Sequence, residues 1–149
     1  MSLNQGMMTS NSDEWTTPSG LFRALDRRFC FELDPAATKE NALCPMFYTQ
    51  AEDGLVKSWK AFRVFVNPPY SQISNWMLKC RLESDKRCPL ICALIPARTD
   101  TKWWHDHVMT ADLIHFLKGR LKFGDGTGSA PFPSALAFWF GLGGLKEEM

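Results

Sequence analysis

The sequence has no excess of charge and no long apolar run. Its 17 Lys and Arg residues against 16 Asp and Glu leave a net charge of +1. This balance excludes a general polyanion binder and an acidic tail, so any nucleic-acid surface must be local. No apolar run reaches the roughly eighteen residues that a membrane helix needs, and the N-terminus lacks the pattern of a signal peptide. We therefore expect a soluble, cytoplasmic protein that does not bind membranes.

The sequence also lacks a spacing typical of metal ligands. Its 5 cysteines are scattered through apolar segments, and we interpret them as buried thiols. Cys88 and Cys92 fall on a predicted strand, where four residues span about 13 Å, too far for two ligands of one zinc ion. His105 and His107 are two positions apart and would not face each other on a helix. We therefore expect no metal site.

A chain of 149 residues has the usual size of one domain. Its first three residues resemble an expression scar, so we interpret residues 1–12 as a tag or disordered N-terminus. We expect a single domain over residues 13–141 and a frayed tail over residues 142–149.

Hydrophobic periodicity predicts strands that alternate with helices. A first helix is predicted to begin at Thr17-Pro18, with Thr17 as the cap and Pro18 at the first helical position, and to end at about Arg28. Further helices are predicted from about Ser71 and from about Thr99. The predicted strands are residues 29–33, 63–66, 90–95, 113–117 and 135–140, with an extension or return strand at 121–123. Residues 36–53 are predicted to be irregular, and residues 124–134 form a Gly-, Ser- and Pro-rich loop.

This order of elements predicts an α/β fold. Alternating strands and helices in the first two-thirds of the chain predict a parallel sheet, and two late strands joined without a helix predict an antiparallel C-terminal edge. Open sheets of this kind bind ligands beyond the carboxyl ends of their strands. Three predicted strands end in a proline step, at Asp34-Pro35, Asn67-Pro68 and Ile95-Pro96. We expect the functional site where these ends converge.

The segment Asn67-Pro68-Pro69-Tyr70 carries the strongest chemical signal. The exocyclic amine of adenine is a poor nucleophile, and two acceptors aimed at its hydrogens return electron density to nitrogen. The side-chain carbonyl of Asn67 and the main-chain carbonyl of Pro68 can supply these acceptors, held in place by the stiff prolines. Tyr70 is placed to stack on a base that has left the duplex. The alternative is a simple turn, but the preceding strand and following helix favour the catalytic interpretation.

Several motifs, taken in order, give the sequence a resemblance to the phage DNA N-6-adenine methyltransferase family. The resemblance covers roughly Asp13 to Phe140. Its matching segments are Asp13 to Pro18, Leu33 to Ala37, Asp53 to Leu55, Asn67 to Tyr70, Leu94 to Trp104 and Gly119 to Phe123. It implies a Rossmann-like methyltransferase fold, S-adenosylmethionine as the cofactor, adenine in double-stranded DNA as the substrate, and a phage or prophage origin with action in the bacterial host cell.

The resemblance also implies a set of cofactor contacts. The implied residues are Thr17, Pro18, Asp34, Pro35, Ala36, Asp53 and Asn67. Asp34 would receive the cofactor ammonium directly or through water, although it could instead cap the strand end. Asp53 would bind either the amine of the cofactor adenine or the ribose hydroxyls, and Glu40 or Glu52 could fill the other station. Thr17 could equally be a helix cap without a ligand.

Cations near the end of the chain are candidates for DNA contacts. Lys118, Arg120 and Lys122 alternate with apolar residues, so in a strand they would share one face. They run into the 124–134 loop, a candidate DNA-contacting lid. An edge strand protected by charges is the alternative interpretation. Arg98, just past a strand end, could meet a phosphate or the cofactor carboxylate.

Two tryptophans on the third predicted helix are further candidates for the site. Trp103 and Trp104 are adjacent on a predicted helix, so one should lie in the core, and the other could line a pocket or also pack under the sheet edge.

Three other functions rival adenine methylation. The first rival function is methylation of RNA or of a glutamine side chain. The second is a silent binding module, which the compressed, glycine-free cofactor region favours. A third, a basic-patch binding protein, gains little from the neutral charge.

Overall fold

The computed structural model of the protein describes residues 15–124 and 128–141. Within them, six strands form one mixed sheet of order β2-β1-β3-β4-β6-β5. The strands are Leu33–Asp34 (β1), Met46–Phe47 (β2), Arg63–Val66 (β3), Leu90–Pro96 (β4), Leu113–Phe116 (β5) and Ser134–Phe140 (β6). The helices are Ser19–Phe29 (α1), Ile73–Ser84 (α2) and Lys102–Asp106 (α3), with 3-10 turns at Tyr70–Gln72 and Val108–Thr110.

The pairing of the strands confirms the predicted α/β fold. Strands β2, β1, β3 and β4 run parallel, whereas β6 pairs antiparallel with both β4 and β5. The sheet is therefore mostly parallel with an antiparallel C-terminal edge, consistent with a Rossmann-like methyltransferase. None of the helices in the described part of the chain has the length and apolar character needed to cross a bilayer.

Both faces of the sheet are covered by core side chains, and its two longest strands are almost entirely apolar. All seven residues of β4 and all seven of β6 are buried. In β3 the side chains alternate, with Val64 and Val66 in one core cluster and Phe65 in the other. Helix α2 packs its predicted buried stripe against the first cluster; the stripe is Ile73, Trp76, Met77 and Cys80. Helix α1 covers the second face through Phe22, whose ring lies 5.2 Å from that of Phe65.

The structure corrects several boundaries in the N-terminal half. Helix α1 begins at Ser19, with Pro18 at the cap position, and no side chain caps it. Residues 29–32 are not strand, because the helix continues to Phe29 and ends on Cys30 in the left-handed conformation, at φ 54°, and β1 begins only at Leu33. The region predicted to be irregular contains β2. Cys30 is exposed, so the prediction of buried thiols is wrong for this cysteine and correct for the other four.

The C-terminal half also departs from the prediction in three places. Helix α3 begins three residues after Thr99, where Thr101 caps it by accepting a hydrogen bond from the Trp104 amide. Residues 121–123 form no strand, and β5 ends at Phe116. Gly119, three residues after the end of β5, has a φ of 76°, so the backbone between Lys118 and Arg120 is not extended. The predicted tail over residues 142–149 and the predicted N-terminal segment lie outside the described residues.

Candidate active site

A cleft of about 910 Å³ opens at the carboxyl ends of β1 and β3. Six of the seven predicted cofactor-binding residues line it, namely Thr17, Asp34, Pro35, Ala36, Asp53 and Asn67. Pro18 is the exception, because it lies outside this lining. Two of the three predicted strand ends therefore meet at this cleft, whereas Pro96, at the third, lines a separate cavity. The volume of the cleft is within the range of small-molecule sites.

The charge of the cleft is one-sided. Among the described residues that line it, Asp34, Glu40 and Asp53 are acidic and none is Lys or Arg. Carboxylates without a nearby cation attract positively charged ligands and repel phosphates. The cleft therefore favours a cationic ligand over a nucleotide phosphate.

Asp34 is the buried carboxylate of the cleft, with 4% of its surface exposed. Its Oδ1 accepts a hydrogen bond from the Ala36 amide at 3.4 Å, and its Oδ2 accepts one from the Leu43 amide at 3.2 Å. Burial outweighs these two donors and raises the pKa of Asp34 to about 6. Besides holding the turn after β1, Asp34 is thus a carboxylate that a cationic ligand would keep ionised.

The loop that carries Asp53 forms the opposite wall. Asp53 is exposed and adopts a φ of 61°, and its Oδ1 accepts a hydrogen bond from the Leu55 amide at 3.0 Å. Glu40 lines the cleft, whereas Glu52 turns to Thr49 and accepts hydrogen bonds from its amide and hydroxyl. Of the two alternative acidic residues, only Glu40 is therefore placed toward the cleft.

Gly54 allows this wall to approach the turn after β1. A Cβ at Gly54 would lie 2.0 Å from the carbonyl oxygen of Pro35 and 3.0 Å from the ring of Trp76. The Gly54 carbonyl accepts a hydrogen bond from the buried Trp59 indole at 2.9 Å. Glycine is thus required where two backbone segments of the cleft meet.

Asn67 follows β3 directly, on the floor of the cleft. Its side-chain nitrogen donates to the main-chain carbonyl of Trp15 and, at 3.0 Å, to the hydroxyl of Thr17. Its side-chain oxygen Oδ1 is buried and has no hydrogen-bond partner among the described residues. A buried acceptor without a partner is uncommon in folded proteins, so this oxygen has a hydrogen-bonding position that a ligand reaching it would fill.

Tyr70 lies on the other side of the same turn, in a second cavity of about 300 Å³ at the end of β4. This cavity is lined by Tyr70, Ser71, Ile73, Pro96, Arg98 and Trp103. Ser71 lines the larger cleft as well, so the Asn67 to Tyr70 turn separates two adjacent spaces. Burial raises the pKa of Tyr70, and its hydroxyl has no partner among the described residues. Pro68 is buried within the turn.

The two tryptophans of α3 lie in different environments, as one of the predicted alternatives stated. Trp104 is buried at 2% exposure and belongs to the core. Trp103 is half-buried and lines the second cavity. Arg98, on the same rim, is exposed and holds its guanidinium 5.8 Å from the ring centroid of Phe132.

The basic row does not form the predicted strand face. Lys118, Arg120 and Lys122 are exposed on an irregular segment after β5, whereas Phe123 is buried. This segment contains no strand, so the interpretation as a protected edge strand is wrong. These cations lie outside both cavity linings. In residues 15–124 and 128–141, no His, Cys, Asp and Glu side chains form a metal-binding group of three or more.

A model of the family described as "DNA N-6-adenine-methyltransferase (Dam)" matches residues 5–134. The chain belongs to this family. A DNA N-6-adenine-methyltransferase of Escherichia phage T1 is 32% identical over 111 residues, 73% of this chain and 46% of the relative. One of Haemophilus phage HP1 (strain HP1c1) is 26% identical over 117 residues, 76% of this chain and 68% of the relative. The matched region thus spans less than half of the phage T1 protein.

In this member of the DNA N-6-adenine-methyltransferase family, the sequence did not reveal the roles of Trp15 and Phe132. The Trp15 ring packs edge-on between Phe123, at 5.3 Å, and Phe132, at 5.4 Å. Phe132 also contacts Tyr70. The signal available was the pattern Pro131-Phe132-Pro133, an aromatic residue fixed between prolines in an otherwise polar loop.

Proposed function

We propose that this protein transfers a methyl group from S-adenosylmethionine to the exocyclic amine of adenine in DNA. The observation that carries the proposal is the unpaired Oδ1 of Asn67, which lies in the turn between the acidic cleft and the Tyr70 cavity. Membership of the family and the names of both relatives support adenine in DNA as the substrate. The relatives are phage proteins, which supports action in a bacterial host cell.

The acidic cleft fits the proposed cofactor. S-adenosylmethionine carries a methyl group on a cationic sulfonium, and its amino acid end carries an ammonium. Asp34 would receive the ammonium, and Asp53 or Glu40 would accept from the amine of the cofactor adenine or the ribose hydroxyls. The absence of Lys and Arg from the described lining suits this cation and disfavours cofactors that bind through phosphates.

The second cavity fits the proposed acceptor base. Tyr70 would stack on an adenine that has left the duplex. Oδ1 of Asn67 and the carbonyl of Pro68 would accept hydrogen bonds from the two amine hydrogens, which raises the nucleophilicity of nitrogen. Because Oδ1 is shielded from solvent in this state, a base must displace the side chains that cover it.

Contacts to the DNA backbone are assigned to the exposed cations on this side of the molecule. Arg98 stands on the rim of the Tyr70 cavity, where it would meet the phosphate of the extruded nucleotide. Lys118, Arg120 and Lys122 would add contacts to a double-stranded substrate without reading its sequence. Because the net charge is only +1, affinity for DNA must come from a local patch of cations such as this one.

Incubation with methyl-labelled S-adenosylmethionine and double-stranded DNA, followed by nucleoside analysis, tests the proposal. We expect label in N-6-methyladenine, and we expect Asn67→Ala to lower turnover about a hundredfold or more while cofactor binding persists. Parallel reactions with RNA and with protein test the other acceptors. Label in methylated RNA or glutamine but not in DNA would overturn the assignment of the substrate, and wild-type turnover by Asn67→Ala would overturn the mechanism.

A further inference from the structure

The amide of Asn67 can adopt two orientations, and only one of them suits the proposed reaction. An Asn side chain carries an acceptor oxygen and a donor NH₂ group of almost the same shape. Rotated by half a turn, Asn67 would present two hydrogens to the amine hydrogens of the target base. A device that fixes the orientation would therefore matter to catalysis.

We propose that the carbonyl of Trp15 and the hydroxyl of Thr17 form an amide clamp that fixes the orientation of Asn67, and that Thr17 is a positioning residue. Both contacts involve the same terminal atom of Asn67. A main-chain carbonyl can only accept a hydrogen bond, so the atom that faces Trp15 must be the nitrogen. With both hydrogens of that nitrogen used, Oδ1 is directed away from the clamp, where it has no partner among the described residues. This inference rests on the proposed function for its catalytic consequence.

Thr17 is suited to this role because its side chain serves no helix cap. The residue is 7% exposed, and α1 begins after Pro18 without any side-chain cap. A buried hydroxyl is expected to be hydrogen-bonded, and the partner observed is Asn67. The location of Thr17 in the cleft thus has a second explanation besides the cofactor contact that the sequence predicted.

The clamp is braced from both ends of its segment. The Thr16 carbonyl accepts a hydrogen bond from the Gly124 amide at 2.9 Å, and the Pro18 carbonyl accepts one from the Phe22 amide at 3.1 Å. The Trp15 ring is packed between two phenylalanine rings. Because the segment is held on both sides, the clamp can constrain Asn67 rather than follow it.

Thr17→Val tests the clamp, because valine keeps the shape of threonine and removes its hydroxyl, and Thr17→Ser is the matched control that keeps the hydroxyl. We expect Thr17→Val to lower kcat on DNA by about tenfold, the effect of losing one hydrogen bond, and to leave the Kd of S-adenosylmethionine unchanged. Thr17→Ser should stay close to wild type. A raised Kd with an unchanged kcat would instead make Thr17 a cofactor contact and overturn the proposal.

A second pair of variants tests whether Thr17 acts through Asn67. In an Asn67→Ala background, Thr17→Val should cost no further activity, since the group it positions is gone. Asn67→Asp should also lose activity, because a carboxylate oxygen would face the Trp15 carbonyl, although a carboxylate is itself a good acceptor for an amine. A fully active Asn67→Asp enzyme, or additive losses in the double variant, would contradict the clamp.

A readout without turnover separates this inference from the proposed function. In nitrogen-edited NMR spectra, the side-chain amide signals of Asn67, assigned by their loss in Asn67→Ala, should exchange slowly with solvent. Thr17→Val should shift one of them and accelerate its exchange, and Thr17→Ser should not. Unchanged signals in Thr17→Val would refute the clamp even in an active enzyme. If Thr17→Val produces these changes but the wild-type protein methylates no DNA, the proposed function is refuted and the clamp is not.

Discussion

Phe132 lies edge-on against Tyr70, with ring centroids 5.5 Å apart and planes at 71°. Phe132 therefore supports the Tyr70 ring, which lines the second cavity. Phe132 also supports the Trp15 ring, whose residue carries the clamp carbonyl. This single side chain links the 128–133 segment to both aromatic partners of the site.

The first prediction concerns Phe132→Leu. Loss of an edge-to-face pair should loosen Tyr70 and raise the KM for DNA about two- to tenfold, with the Kd of S-adenosylmethionine unchanged. Phe31→Leu is the matched control, because Phe31 is equally buried in the same core cluster but away from Tyr70. Both variants should lose about 0.5–3 kcal/mol of stability by thermal unfolding. Equal KM values for the two variants would remove Phe132 from the base site.

The second prediction is that Asp34 makes stability depend on pH. Its native pKa of about 6 lies above the ordinary value of 3.8, so between these values the folded protein retains a proton that the unfolded chain loses. The free energy of unfolding should therefore fall as the pH rises through this window, by at most about 3 kcal/mol. In urea titrations, Asp34→Asn should gain stability relative to wild type between about pH 4 and about pH 7. A constant difference would contradict the raised pKa.

The third prediction is that Asp34 makes the affinity for the cofactor depend on pH. A cationic ligand favours ionised Asp34, so calorimetry should show the affinity for S-adenosylmethionine increasing as the pH rises through about 6. Asp34→Asn should bind weakly and show no such step. If the step persists in Asp34→Asn, another group controls it.

The fourth prediction contrasts two glycines. Gly54→Ala places a Cβ 2.0 Å from the Pro35 carbonyl, so the cleft wall must move; we expect a loss of about 1–3 kcal/mol in stability and weaker cofactor binding. Gly20→Ala, in α1, meets nothing within 4 Å and should stabilise the protein by about 0.5–1 kcal/mol. Normal cofactor affinity in Gly54→Ala would show that the cleft wall does not contact the cofactor.

The fifth prediction concerns the basic row. Replacing Lys118, Arg120 and Lys122 with glutamine should flatten the slope of log DNA affinity against log salt by roughly two to three units, at about 0.9 for each phosphate contact. The matched control replaces the exposed cations Arg27, Lys60 and Lys86, which precede the opposite, amino ends of β1, β3 and β4. Anisotropy across a salt series measures both, and equal slopes would assign no DNA contact to the row.

Much of the fold was predictable because its signals are local. The runs at 63–66 and 90–95 are apolar and β-branched, and a proline step ends each, so their strands were placed almost to the residue. The same steps placed Asp34 and Asn67 at strand ends and hence in one cleft. Predictions failed where the local backbone decided the outcome: α1 runs through Phe29 and ends on Cys30 in the left-handed region, and β5 ends at Phe116, before the basic row.

The sequence by itself determined the kind of sheet, the polar residues at its edge and the family. Only the tertiary structure decided what these residues contact. Asn67 meets Thr17 and Trp15 across 50 and 52 positions of the chain, and Phe132 reaches Tyr70 from a loop near the other end. Periodicity constrains a side chain's face but not its distant partner. The raised pKa of Asp34 likewise depends on the burial that the whole fold imposes.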